Sequence, residues 1–154
     1  MKLLLKIHLK IEYYKNRVRI KKLKYLGARI GKGSRSYGRF SVVNIPNLII
    51  GNNTTINEGV HINCRSKVNI GNDVHISTNV QIHSGRLDID KNKRTHTQAK
   101  VTIGDNVWLA ANVIVLAGVE IGKNTVVAAG SIVTKDIPSD CLVMGVPAKI
   151  MKYI

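Results

Sequence analysis

An aliphatic residue stands at every sixth position from Ile103 to Val133: Ile103, Leu109, Val115, Ile121, Val127 and Val133. Four residues after each comes a second position that is small or β-branched: Val107, Val113, Val119, Thr125, Ser131 and Ile137. The same register runs earlier through Ile50, Ile56 and Ile62, with Thr54, Val60 and Ser66 as partners. After a two-residue insertion it resumes at Ile70, Ile76 and Ile82, with Val74 and Val80. Half-buried strands alternate with period 2 and amphipathic helices with period 3.6, so a period of six fits neither. It predicts a solenoid in which each hexad makes one short flat strand and three hexads close a triangular coil. Successive coils then stack as parallel strands about 4.8 Å apart, each burying the face of its neighbour.

The segments Ile50-Gly51-Asn52-Asn53, Ile70-Gly71-Asn72-Asp73, Ile103-Gly104-Asp105-Asn106 and Ile121-Gly122-Lys123-Asn124 mark the bends. Their Gly and Asn residues tolerate the left-handed backbone that such corners need. Between Ile82 and Val101 the hexads fail, in HSGRLDIDKNKRTHTQAK. A polar excursion from a regular solenoid predicts an extruded loop at about 84–100 with a functional role.

Composition supports one β-rich domain built on Val, Ile and Leu, because aromatic residues make up only 5% of 154 residues. The net charge of +15 is uneven: residues 1–29 hold ten Lys or Arg against a single acid, Glu12. The chain therefore divides into a basic N-terminal segment, 1–29, and a solenoid domain, 30–154. A helix with Lys2, Lys6 and Lys10 at i,i+4 spacing, and Leu3, Leu4, Ile7 and Ile11 at other positions, would be basic and amphipathic. That suits an anionic membrane surface or an acidic glycan, and equally a solvated helix packing its apolar side on the rest of the protein. Nucleic acid is disfavoured: the segment carries no binding motif and only Tyr13, Tyr14 and Tyr25 as aromatics. Cys64 and Cys141 match no metal spacing, which suggests a reducing compartment. No run approaches the ~20 apolar residues of a membrane span, and Lys6 and Lys10 interrupt the opening apolar stretch. The expectation is a cytoplasmic protein, with peripheral contact at the inner face of the membrane through residues 1–29.

Hexads that begin with an aliphatic residue and Gly or Ala, the segment IGDNVWLAANVIVLAGVEIGKNTVVAAGSIVTKDIP and the ending GVPAK together resemble the hexapeptide-repeat acyltransferases. The galactoside and maltose O-acetyltransferases and the sugar O-acetyltransferases of polysaccharide biosynthesis are the most similar subgroup, over about residues 28–152. The resemblance implies an all-β fold, a left-handed parallel β-helix. It also implies a homotrimer whose loop at 84–100 closes an active site lying between subunits. The implied reaction moves an acetyl group from acetyl-coenzyme A (acetyl-CoA) to a carbohydrate acceptor. A hydroxyl is a poor nucleophile, so a general base, usually His, should take its proton, and no metal is required.

Aligned without gaps on the family segment, ISTNVQIHSGRLDID puts Leu87 where the catalytic His stands, just before Asp88. Leucine cannot accept a proton. The repeat offers His83, which follows inward Ile82 and should project outward beside the loop. Asn63 holds the same place after Ile62, one coil earlier, and falls by resemblance at the acceptor-binding Asn. His83 as base and Asn63 as acceptor ligand stand against a plainer reading, a solvated histidine in a turn and an Asn in an asparagine ladder. His96, on the loop, is the second candidate base. His61 and His75 read as corner residues. The resemblance places Trp108 near the acetyl group and pantetheine arm, Ala111, Ala129 and Thr134 along the narrow groove, and Lys149 and Lys152 at the phosphates. Lys135 is a further cationic candidate. Two other classes stay open: a catalytically weak or inactive scaffold, suggested by Leu87, and a trimeric zinc carbonic anhydrase-like protein using His61, His75 and His83.

Overall fold

In a computed structural model, residues 2–90 and 93–154 are described. The hexads become strands of two or three residues whose burial alternates, one aliphatic side chain inward and its neighbours outward. Three parallel walls result. The first comprises Arg29–Ile30, Leu48–Ile50, Val68–Ile70, Val101–Ile103 and Glu120–Ile121. The second comprises Arg35–Ser36, Thr55–Ile56, His75–Ile76, Trp108–Leu109, Val126–Val127 and Cys141–Met144, with Lys149–Tyr153 folded back antiparallel on its last strand. The third comprises Ser41–Val43, His61–Asn63, Gln81–His83, Ile114–Val115 and Ile132–Val133. The molecule is thus a β-solenoid of about six turns with a single N-terminal helix. Ile56, Ile62, Ile76, Ile82, Leu109 and Ile121 are all fully buried inside the prism. Each stacks on its equivalent in the next coil, so truncating one to Ala should cost about 2–5 kcal/mol.

The coils come in two lengths. Before residue 84 equivalent positions are 20 residues apart, as in the bond from Asn52 N–H to Asn72 Oδ1. After the excursion they are 18 apart, as between Asn106 and Asn124. Three hexads therefore account for the later coils, and the earlier ones carry additional residues at the corner joining the third wall to the first. One such corner is the 3-10 turn Ile45–Asn47; the other contains Cys64. There Cys64 is fully buried and fills the inward place expected of Ser66, which is only half-buried. Burial pushes its thiol up to about 12, so it packs as a small apolar group.

The corners divide the work differently from the sequence expectation. Asn53, Asp73, Asn106 and Asn124 adopt the left-handed backbone, with φ of 55°, 54°, 56° and 56°. Gly51, Gly71, Gly104 and Gly122 do not. Their role is steric: a Cβ on Gly51 would lie 2.6 Å from both Asn72 Oδ1 and the carbonyl carbon of Gly71 in the next coil. Glycine permits the coils to stack and Asx turns the chain.

The C-terminal half of helix α1, Lys2–Tyr25, packs on the first coil, and the described side chains from Leu4 to Ile11 are exposed. Ile20 and Leu23 pack against the core, and Ser36 Oγ donates to the carbonyl of Asn16 at 3.4 Å. Of the expected basic and apolar rows, the side chains of Lys2 and Leu3 lie outside the described residues, as does that of His8. The excursion is a two-stranded antiparallel ribbon, Gly85–Asp90 against Lys93–Gln98, rather than an irregular loop. Its alternating Leu87, Ile89, Thr95 and Thr97 satisfy a strand period that the failed hexads concealed.

Candidate active site

On the third wall Ile62 and Ile82 point inward, so the residues on either side of each must point out. The parallel register sets His61 beside Gln81 and Asn63 beside His83. These four side chains form a polar square at the foot of the ribbon. His61 and His83 rings lie 5.8 Å apart, and Ser41 Oγ lies 2.7 Å from His61 Nδ1. His83 Nε2 lies 3.1 Å from Gln81 Oε1. An amide oxygen only accepts, so Nε2 carries the hydrogen and Nδ1 is the basic nitrogen. Burial first, and the neighbouring charge of His61 second, hold His83 below the ordinary histidine range. It is therefore a neutral imidazole, able to accept a proton, at pH 7.

Asn63 Oδ1 is buried without a hydrogen-bond partner among the described residues. Such an acceptor costs about 1–3 kcal/mol until something donates to it. Asn69 Oδ1, on the first wall, is in the same condition. What distinguishes Asn63 is a basic imidazole in register with it.

The expectation that His61 and His75 occupy corners is corrected. Both are strand residues, His61 in His61–Asn63 and His75 in His75–Ile76. The sixth hexad position leads directly into the inward one and so lies on the wall, not at the bend. His75 Nδ1 is bonded to Thr55 Oγ1 at 2.9 Å on the second wall. The three histidines of the zinc reading therefore do not converge within one chain, and no cluster of three or more metal-ligating groups occurs among the described residues.

Leu87 and His96 face each other across the ribbon, on its third rung from the Gly85–Gln98 pair. Leu87 and Ile89 are exposed there. The opposite face is tied together by Arg86, Thr97 and Asp88: Thr97 Oγ1 donates to Asp88 at 2.8 Å, and Arg86 pairs with Asp88 at 2.9 Å.

The remaining candidates fall into two groups on separate walls. Thr134 follows Val133 as His83 follows Ile82, so Thr134 and Lys135 continue the edge that bears Asn63 and His83. The other group lies on the second wall, where His75, Trp108, Val126, Leu142 and Lys152 form one outward row in register. Trp108 is half-exposed and donates its indole N–H to Ser77 Oγ at 3.0 Å. Beside it is a hollow of about 520 Å³ bounded also by His75, Val126 and Ile154. Ala111 and Ala129 stack at the corner between the second and third walls, joined by the bond from Gly130 N–H to the Ala111 carbonyl at 2.9 Å. Lys149 is exposed on the last strand. One chain thus brings Asn63 to His83 and Trp108 to Lys152, but holds the two sets on different walls.

Gln81 was not among the sequence candidates, and His61 entered there only as a corner residue and as a ligand of the zinc alternative; the structure sets both beside His83. A signal was present: His61-x-Asn63 and Gln81-x-His83 put paired outward residues at the same hexad positions one coil apart.

Residues 100–135 match the bacterial transferase hexapeptide (six repeats) family. The chain is 38% identical over 112 residues to galactoside O-acetyltransferase of Escherichia coli, covering 70% of this chain and 55% of the relative. It is similar in structure to a maltose O-acetyltransferase from Clostridium difficile 630, with a TM-score of 0.79 and 30% identity, covering 92% of this chain and 88% of that one. A hexapeptide-repeat containing acetyltransferase from Vibrio cholerae, complexed with acetyl coenzyme A, gives a TM-score of 0.72 at 31% identity over 79% of this chain and 71% of that one. The chain spans about half the length of the curated relatives it matches.

Proposed function

Because this chain belongs to the hexapeptide-repeat acetyltransferases, we propose that it transfers an acetyl group from acetyl-CoA to a hydroxyl of a carbohydrate acceptor, as a homotrimer with a site at each subunit junction. The observation that carries the reading is the juxtaposition of a neutral His83, basic at Nδ1, with the unpartnered oxygen of Asn63. Asn63 Oδ1 accepts a hydrogen bond from the acceptor sugar. His83 Nδ1 takes the proton of the reacting hydroxyl as its oxygen attacks the thioester carbonyl. The C–S bond breaks, and the imidazolium returns its proton to the departing thiolate, giving an O-acetyl ester and free coenzyme A. Gln81 holds the required tautomer by accepting from Nε2.

The separation of the two residue sets supports the trimer. With Trp108, Ala111, Ala129, Lys149 and Lys152 on the second wall and its corner, and Asn63, His83, Thr134 and Lys135 on the third, a junction that sets the second wall of one copy against the third wall of another brings both sets to one donor. Lysines supply point charges to the phosphates. The exposed Leu87–Ile89 face of the ribbon, with His96, covers the neighbouring copy, which gives Leu87 a packing role in place of a chemical one.

The test is release of coenzyme A from acetyl-CoA, followed by thiol reagent, in the presence of a panel of soluble sugars. Turnover that depends on one acceptor class is expected. Release no faster than without protein, restored by Leu87→His, would assign the parent chain to the inactive scaffold reading.

A further inference from the structure

The outer side of α1 carries a stripe that the solenoid does not use. Leu4, Ile7, Ile11, Tyr14 and Val18 recur at alternating spacings of three and four, so they share one side of the helix. All are exposed, from 46% at Ile11 to 73% at Leu4. Ile20 and Leu23, which pack on the solenoid, lie on the other side. An apolar stripe of this spacing can zip onto a second copy as a coiled coil. The flanking charges oppose that: Lys10, Arg17 and Lys21 run along one border, and Lys15 and Lys22 along the other. Two copies would set like charges face to face. Glu12, the one acid in residues 1–29, is paired to Lys15 at 2.7 Å.

An apolar stripe bordered on both sides by cations is complementary to a surface that is apolar beneath and anionic above. We propose that α1 lies along an anionic lipid surface, with the stripe at the headgroup boundary and the bordering cations on lipid phosphates. No described helix is long and apolar enough to cross a membrane, so the helix lies on the surface. The cations continue into a hollow of about 520 Å³ between α1 and the first coil, edged by Arg17, Lys21, Lys24, Lys32 and Arg35. Arg17 is held there over the Tyr13 ring, 5.7 Å from its centroid. Headgroup phosphates that pass the border at Arg17 and Lys21 meet Lys24, Lys32 and Arg35 behind it. An acetyltransferase so placed works on acceptors displayed at that surface.

The full chain is cosedimented with phosphatidylcholine vesicles, with and without phosphatidylglycerol, at low and high salt. Phosphatidylglycerol should tighten binding at least about tenfold, and high salt should remove the gain. Ile7→Asp with Ile11→Asp, and separately Lys10→Glu with Arg17→Glu, should each weaken it by about tenfold, while coenzyme A release with a soluble acceptor stays at the parent rate. Equal binding to both vesicle types overturns the proposal. Full binding by the isoleucine variant overturns it in favour of a general polyanion site. Concentration-dependent self-association lost in that variant overturns it in favour of a second copy. The soluble assay needs no vesicle, so failure here leaves the acetyl-transfer reading to its own test.

Discussion

The second and third walls of the prism are built from the same inward residues and differ almost wholly in what they turn outward. Ile56, Ile76 and Leu109 fill the interior behind the second wall as Ile62, Ile82 and Val115 do behind the third. Outside, the second wall presents a broad row, Trp108, Val126 and Leu142, ending at Lys152. The third presents His61, Asn63, Gln81 and His83, a neutral imidazole beside an unpartnered amide oxygen. A solenoid can carry two chemistries on one core because each strand has an inner and an outer side that vary independently. The proposed reaction draws on both walls, so it ties the activity to the proposed meeting of copies.

The comparison is broken most severely by removing the proton acceptor. His83→Ala should lower kcat by about 10²- to 10⁴-fold with coenzyme A affinity unchanged, measured by steady-state kinetics and calorimetry. A comparable loss from His96→Ala, with His83→Ala near parent activity, would move the base onto the ribbon. On the other wall, Trp108→Ala should raise KM for acetyl-CoA by about tenfold or more and leave the acceptor KM alone. A change confined to the acceptor KM would refute the division between the walls.

Asn63→Ala sharpens the comparison further. It should raise the acceptor KM by about tenfold while leaving Tm equal to or above the parent, because the orphaned oxygen it removes stabilises nothing in the free protein. A clear fall in Tm would make Asn63 a structural residue. The smallest expected effect is a displacement in pH. His83 titrates below its ordinary value of 6.5, so the acid limb of kcat/KM lies below that value. Removing the His61 charge, as in His61→Gln, should move the limb upward, towards the unperturbed imidazole. The same shift acts on stability. The unfolded state binds the proton first, so the contribution of a neutral His83 is complete above about 6.5 and is lost as pH falls through the lower folded value.

The fold was legible because a hexad is a local rule. Ile103 through Val133 state the strand spacing, and the Asx residues state the corners, without reference to distant parts of the chain. The additional residues in the early coils were less legible, since Cys64 replaces Ser66 as the inward group only once the corner is built. The ribbon was missed as structure. Its strand alternation is short and largely polar, and its pairing partner is itself.

The sequence by itself determined the period, the interior and the neighbourhood of Asn63 and His83, because stacking in a solenoid converts a fixed separation along the chain into contact in space. Tertiary structure alone decided that Gln81 fixes the imidazole tautomer, that burial and then His61 lower its proton affinity, and that Trp108 stands on a different wall from His83. Those facts depend on side-chain direction around a closed prism. A one-dimensional period assigns walls only while the count is unbroken, and the excursion between Ile82 and Val101 separates His83 from Trp108.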